Sequence, residues 1–228
     1  MLSPNQFKKY QDEVIARIDK TSPEIPAHRK AFKQGYSFSK EPFDKQLAIW
    51  DYIWKHSGSF RQQIHAYFFL EQYVNKKELH DRLWKTSASW QEEIDDWGLC
   101  DALAKINSKV LVSYPTDVYK QLAIWNKDKN LWKRRQSVVS LLYYSRTKKE
   151  YLSFSKIAAL VELLLTDKEY YVQKGVGWAM REMHTVYPKE TIPFLQKHIK
   201  SISAIAFTIA IEKMSDAEKN KLKTLRKK

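Results

Sequence analysis

Apolar positions recur along nearly the whole chain at intervals of three and four residues, the pattern of helices that each bury one face. Phe7, Tyr10, Val14 and Ile18 form an opening stripe that ends at Thr21-Ser22-Pro23. A loop-like stretch is expected from there through Pro26, Gly35 and Pro42. Helical spacing then returns over residues 47–55, 60–73, 77–85, 97–106 and 116–125. It continues over 131–144, 155–165, 170–186, 191–200, 204–213 and 217–226. Alternation with period two is nearly absent, so the expected fold class is all-α. With 5 glycines and 7 prolines in 228 residues, the chain is too poor in turn formers for a loop-rich or all-β protein.

One segment echoes another. Lys45-Gln-Leu-Ala-Ile-Trp50 recurs 75 positions later as Lys120-Gln-Leu-Ala-Ile-Trp125. Two helix-pair repeats of about 37 residues produce that offset, close to the repeat length of α-solenoids. No linker divides the chain, so a single domain over 1–228 is expected. The tail from Lys219 to Lys228 is polybasic and reads as a solvated, fraying helix end.

Charge narrows the partner. Forty Lys and Arg face 26 Asp and Glu, a formal net charge of +14, which makes a field that attracts polyanions. Nucleic acid is the first candidate and an anionic membrane surface the second. No stretch approaches the roughly 20 apolar residues that span a bilayer, and the N-terminus lacks a secretory apolar core, so no membrane role is expected. Cys100 is the only cysteine, which excludes an intramolecular disulfide and suits a cytoplasmic location. His28, His56, His65, His80, His184 and His198 show no metal-ligand spacing, and no metal or other cofactor is expected. No phosphate-cradling glycine loop or Gly-x-Ser-x-Gly is present, leaving nucleotide hydrolysis and serine hydrolase chemistry without support.

Candidate chemistry concentrates in three helical segments. In Gln173-Lys-Gly-Val-Gly-Trp-Ala-Met-Arg-Glu182, Lys174, Trp178 and Arg181 stand at i, i+4 and i+7, an indole flanked by two cations on one face. Gly175 and Gly177 each cost that helix about 1 kcal/mol relative to alanine. A close approach by another backbone or by a ligand is the simplest compensation. In Trp97-Gly-Leu-Cys-Asp101, Trp97 and Asp101 share a face, and in Asn130-Leu-Trp-Lys-Arg-Arg135, Trp132 and Arg135 do so beside Lys133 and Arg134.

Equivalent helices of a solenoid line one surface, so these faces are expected to converge on a single groove suited to nucleic acid. Arg and Lys would neutralise phosphates while indoles stack on sugars or bases. Asp101 is the unusual member. A carboxylate in a basic groove has a use if it stabilises an oxocarbenium-like sugar or orients the attacking water as a glycosidic bond breaks. A cationic alkylated base is already a good leaving group and needs no separate general acid.

These segments resemble the AlkD-type DNA alkylation repair family of HEAT-like-repeat DNA glycosylases. The family's Asn-x-Trp-x-x-Arg motif matches Asn130 to Arg135, and its Lys-Ala-Ile-Gly-Trp-x-Leu-Arg-Glu motif is similar to Lys174 to Glu182. Its Trp-Asp-x-x-Asp-like motif resembles Trp97 to Asp101, with Gly98 where family members often carry an acidic residue. The resemblance covers roughly residues 90–200. It implies an α-solenoid of HEAT-like repeats with a concave basic surface, acting as a monomer on alkylated double-stranded DNA. It implies excision of N3- or N7-alkylated purines without an enclosed base pocket. Asp101 then corresponds to the catalytic carboxylate, Trp97 and Trp178 to the aromatics around the lesion nucleotide, and Arg135 and Arg181 to groove residues on the DNA backbone. Lys174 and Arg134 are further DNA-binding candidates. His28 falls near the place of an N-terminal site aromatic.

Plainer roles stand beside these. A tryptophan at helical spacing is ordinarily core, and Trp132 is expected to pack inward and leave Arg135 facing the groove. Two of Lys133, Arg134 and Arg135 would be a solvated face. Arg146, Lys148 and Lys149 would be general phosphate contacts or surface charge, and Cys100 a buried thiol. The alternative function is a non-catalytic protein of the same fold that binds bent, branched or damaged DNA.

Overall fold

A computed structural model describes residues 2–143, 145 and 150–227. Among them the chain forms thirteen α-helices and no strand. The chain divides into two compact units, Met1–Ile106 and Asn107–Lys228. The first holds α1 (Pro4–Ile18), α2 (Ile25–Lys33), α3 (Phe43–Lys55), α4 (Phe60–Tyr73) and α5 (His80–Trp90). The boundary falls inside α6 (Trp97–Ser113) rather than in a linker. The second holds α7 (Pro115–Trp125), α8 (Leu131–Val139), α9 (Phe154–Leu163), α10 (Tyr170–Val186), α11 (Pro188–Lys197), α12 (Ala204–Ala210) and α13 (Asp216–Lys227).

Local chemistry starts these helices. Ser3 and Gln6 close a reciprocal capping box on α1, while the side chains of Ser59, Asn130 and Ser203 accept from the first-turn amides of α4, α8 and α12. Proline opens α1, α2, α7 and α11, where its missing N–H would be unpaired anyway. That rule corrects the expected loop over Pro26: it lies in the first turn of α2. The buried positions of α2 include His28 and Ala31, so no apolar stripe advertised it.

The first unit is centred on aromatic rings. Trp50, Trp54, Trp90, Phe38, Phe68 and Phe69 are essentially fully buried. Trp54 and Trp90 stack at 4.3 Å and 8°, with the Trp54 indole donating to the Trp90 carbonyl and the Trp90 indole to Asp51. The echoed segments lie on α3 and α7. Trp50 and Trp125 are both buried, but Ile49 is buried while its counterpart Ile124 is 56% exposed.

In the second unit α10 packs on α8 and α12, with Val172, Val176, Met180 and Met183 fully buried. Its C-terminal tail is docked, a correction to the expected fraying. Leu222 is buried, and Arg226 lies over the Phe207 ring and donates to the carbonyls of Ile199 and Ile202 at 2.7 and 2.8 Å.

Candidate nucleic-acid interface

The two glycines of the decapeptide point to opposite sides of α10, because two residues turn a helix by about 200°. A Cβ on Gly177 would stand 2.7 Å from the Ala206 carbonyl oxygen and 2.9 Å from the Ala206 Cα. A Cβ on Gly175 would stand 3.2 Å from Arg135 Cγ. The compensation for both glycines is therefore the protein itself. Gly177 admits the backbone of α12, and Gly175 admits the Arg135 side chain of α8.

Arg135 uses that opening. Its Nη1 donates to the Tyr171 carbonyl at 2.7 Å, and the residue is only 6% exposed. Trp132 is half-buried against Tyr171 at 5.1 Å. Trp132 thus packs between helices as expected, but Arg135 does not face a groove: it packs inward, because the guanidinium finds a backbone acceptor on α10. Arg134 is likewise engaged. Its Nε and Nη2 meet Asp167 at 2.6 and 3.4 Å, and its Nη1 donates to the carbonyls of Asp128 and Lys129. Both arginines brace the segments that lead into α8 and α10. Arg146, Lys148 and Lys149, expected as phosphate contacts or surface charge, lie outside the described residues.

The outward face of α10 carries Lys174, Trp178 and Arg181 as the spacing requires, with Tyr170 extending the stripe one turn earlier. Tyr170 is 53% exposed, and Lys174 Nζ sits 5.4 Å from its ring centroid. Trp178 is half-buried and meets the edge of Tyr143 at 5.0 Å. Arg181 pairs with Glu212 through Nη1 at 2.6 Å, and its Nε, buried, makes no hydrogen bond. Glu212 is an exposed carboxylate, but the Arg181 side chain is largely buried and its Nε also faces Glu182 at 3.7 Å, so two carboxylates accompany this cation. Lys174 has no ion pair with any described carboxylate. The stripe from Tyr170 to Arg181 spans about 16 Å along the helix axis. The sequence reading stopped at Lys174 although Tyr170 stands at i−4 from it. Tyr143 left no such signal, since it comes from a different segment.

In the first unit, α6 begins at the candidate catalytic motif. Asp96 caps it, accepting from the amides of Gly98 and Leu99 at 2.6 and 3.3 Å. A Cβ on Gly98 would stand 2.9 Å from the Asp96 carboxylate and 3.3 Å from Phe60, so a side chain there would have to shift the capping carboxylate. Trp97 is 52% exposed, Asp101 is half-buried one turn later, and Cys100 between them is buried.

His28 does not face solvent. It is fully buried, and its Nδ1 lies 3.0 Å from His65 Nε2, while His65 Nδ1 meets the Tyr36 hydroxyl at 2.6 Å. The His28 Nε2 has no hydrogen-bond partner. Burial pushes the His65 imidazole down to about 3, aided by the charge of His28 and Arg17. It also lowers His28, with Arg61 contributing. Among the described residues no group of three His, Cys, Asp or Glu is placed to hold a metal, and no helix is long and apolar enough to cross a membrane.

A family model described as "DNA alkylation repair enzyme" matches residues 16–214. No curated protein matches the chain by sequence. Among solved structures, the chain is similar to one described as a predicted DNA alkylation repair enzyme from Enterococcus faecalis, with a TM-score of 0.67 and 15% identity over 92% of this chain and 96% of that one. It is also similar to AlkD2 from Streptococcus mutans, with a TM-score of 0.59 and 16% identity over 97% and 98% of the two chains. At these identities the likeness carries the all-helical fold.

Proposed function

The chain belongs to the DNA alkylation repair enzyme family, and on that premise we propose that it is a DNA glycosylase acting on N3- or N7-alkylated purines in duplex DNA. The observation that carries the reading is on α6. An indole 52% exposed to solvent precedes a half-buried carboxylate by one turn, which sets an aromatic surface beside a negative charge.

In this reading Trp97 lies against the sugar of the damaged nucleotide, and the Asp101 carboxylate faces the sugar carbon that becomes electron-poor. The glycosidic bond breaks with its electron pair moving to the alkylated ring, which was cationic and leaves neutral. The ionised carboxylate stabilises the oxocarbenium-like sugar, water adds to that carbon, and the water's proton passes to Asp101 or solvent. Lys174, Trp178 and Arg181, with Tyr170, hold the DNA backbone along the outward face of α10. Arg134 and Arg135 act as braces that fix α8 and the start of α10 beneath that stripe. Without an enclosed pocket, selectivity comes from the lability of the cationic base rather than from its shape.

The second reading, a non-catalytic DNA-binding protein, is favoured by the α10 stripe, whose aromatic rings and cations suit stacking and phosphate contacts. Base-release analysis on methylated duplex DNA separates the two. The glycosylase releases N3-methyladenine or N7-methylguanine and loses that activity in Asp101→Asn. The non-catalytic protein shows salt-sensitive binding alone.

A further inference from the structure

A cavity of about 420 Å³ opens in the first unit between α2, α3 and α4. Its volume falls in the range of small-molecule sites. Arg29 and Lys33 reach it from α2, one turn apart on the same face, and the half-buried rings of Phe32 and Tyr73 give it an aromatic wall. Arg29 is held in place before any ligand arrives. Its guanidinium stacks over the Phe68 ring at 4.2 Å and pairs with Glu71 in the cavity wall.

Glu71 does not neutralise the site. Its carboxylate is shared between Arg29 and Lys105, with Lys105 Nζ at 2.6 Å and the Tyr67 hydroxyl at 2.8 Å. Burial works to raise the Glu71 carboxyl, and the bonds from Arg29, Lys105 and Tyr67 overcome it, holding it ionised below the usual carboxylate range. Two cations against one carboxylate leave an excess positive charge. Lys33 adds a second, because it has no ion pair with any described residue. Gln46, buried in the wall, donates its amide nitrogen to the Glu41 carbonyl at 2.6 Å and keeps its amide oxygen as an acceptor.

We propose that this cavity is a binding site for a small organic anion carrying a planar ring, of the size of a nucleoside monophosphate. The anion is taken by Arg29 and Lys33, and the ring lies along the aromatic wall with its polar edge toward Gln46. The proposal rests on the residues that line the cavity and does not depend on the glycosylase reading.

Calorimetric titration of the full chain with deoxyguanosine monophosphate, deoxyguanosine and inorganic phosphate tests it. The nucleotide should bind saturably and at least about tenfold more tightly than either fragment. Lys33→Gln, on an exposed side chain that the fold does not need, should weaken it at least about fivefold, as should Arg29→Gln. Lys174→Gln, in the other unit, should leave it unchanged. Absence of saturable binding, equal binding of phosphate alone, or binding indifferent to both Lys33→Gln and Arg29→Gln would each overturn the proposal.

Discussion

Replacing the two glycines of α10 one at a time separates packing from intrinsic helix preference. Both Gly175→Ala and Gly177→Ala gain about 1 kcal/mol of helix propensity. The gain is opposed differently at each position. At Gly177 the new methyl meets backbone, 2.7 Å from the Ala206 oxygen and 2.9 Å from the Ala206 Cα, with Ile209 Cβ also at 2.9 Å. Backbone on a packed helix cannot step aside cheaply, and such overpacking costs about 1–3 kcal/mol, with the upper half applying to contacts this short. The net expectation for Gly177→Ala is a loss of about 1–2 kcal/mol, a fall in melting temperature of roughly 3–6 °C for a chain of this size. At Gly175 the methyl meets the Arg135 side chain at 3.2 Å and Val139 Cγ1 at 3.4 Å. Small shifts of those side chains absorb it, so Gly175→Ala should stay within about 0.5 kcal/mol of the parent. Urea unfolding followed by circular dichroism measures both. A Gly177→Ala protein as stable as the parent would refute the claim that α12 sets that glycine.

Lys174→Gln should weaken duplex DNA binding and lower the slope of log affinity against log salt by about 0.9, the contribution of one phosphate contact, as read by fluorescence anisotropy between roughly 50 and 200 mM salt; an unchanged slope would remove Lys174 from the interface. Tyr170→Ala should weaken binding by about 1–3 kcal/mol if a base or sugar rests on that ring, without altering the melting temperature. Stability should also fall with acid. The His65 pKa is depressed in the folded state to about 3 from 6.5, so the unfolded chain binds the extra proton. This contribution is complete above pH 6.5 and is lost as pH falls toward 3, amounting to about 2 kcal/mol by about pH 5. In His65→Leu the acid limb of the stability profile should flatten over that window, and an unchanged limb would show that His65 takes no part.

How much of this was readable from sequence depends on how far apart the interacting residues lie. Residues 170–186 were legible to both ends because α10 keeps one strict stripe between Glu169 and Tyr187. α6 runs seven residues past its expected end, since Asn107 and Ser108 are polar yet fully buried and break the apparent period. α2 was hidden because its buried face includes a histidine. At the candidate interface the faces of Lys174, Trp178 and Arg181 followed from spacing alone. The inward turn of Arg135 did not, because its acceptor, the Tyr171 carbonyl, lies 36 positions away and is reached only through the gap at Gly175. Nor did the shared charge of Glu71, which joins α2, α4 and α6.

The central claim is the role of Asp101, and single-turnover release of base from methylated duplex DNA tests it most directly. The account predicts that the parent protein frees N3-methyladenine or N7-methylguanine and that Asp101→Asn lowers the rate by about 10²-fold or more, the scale of losing one electrostatic stabiliser of a transition state, while duplex binding is kept. No base released by the parent even at large enzyme excess, or full release by Asp101→Asn, would contradict it.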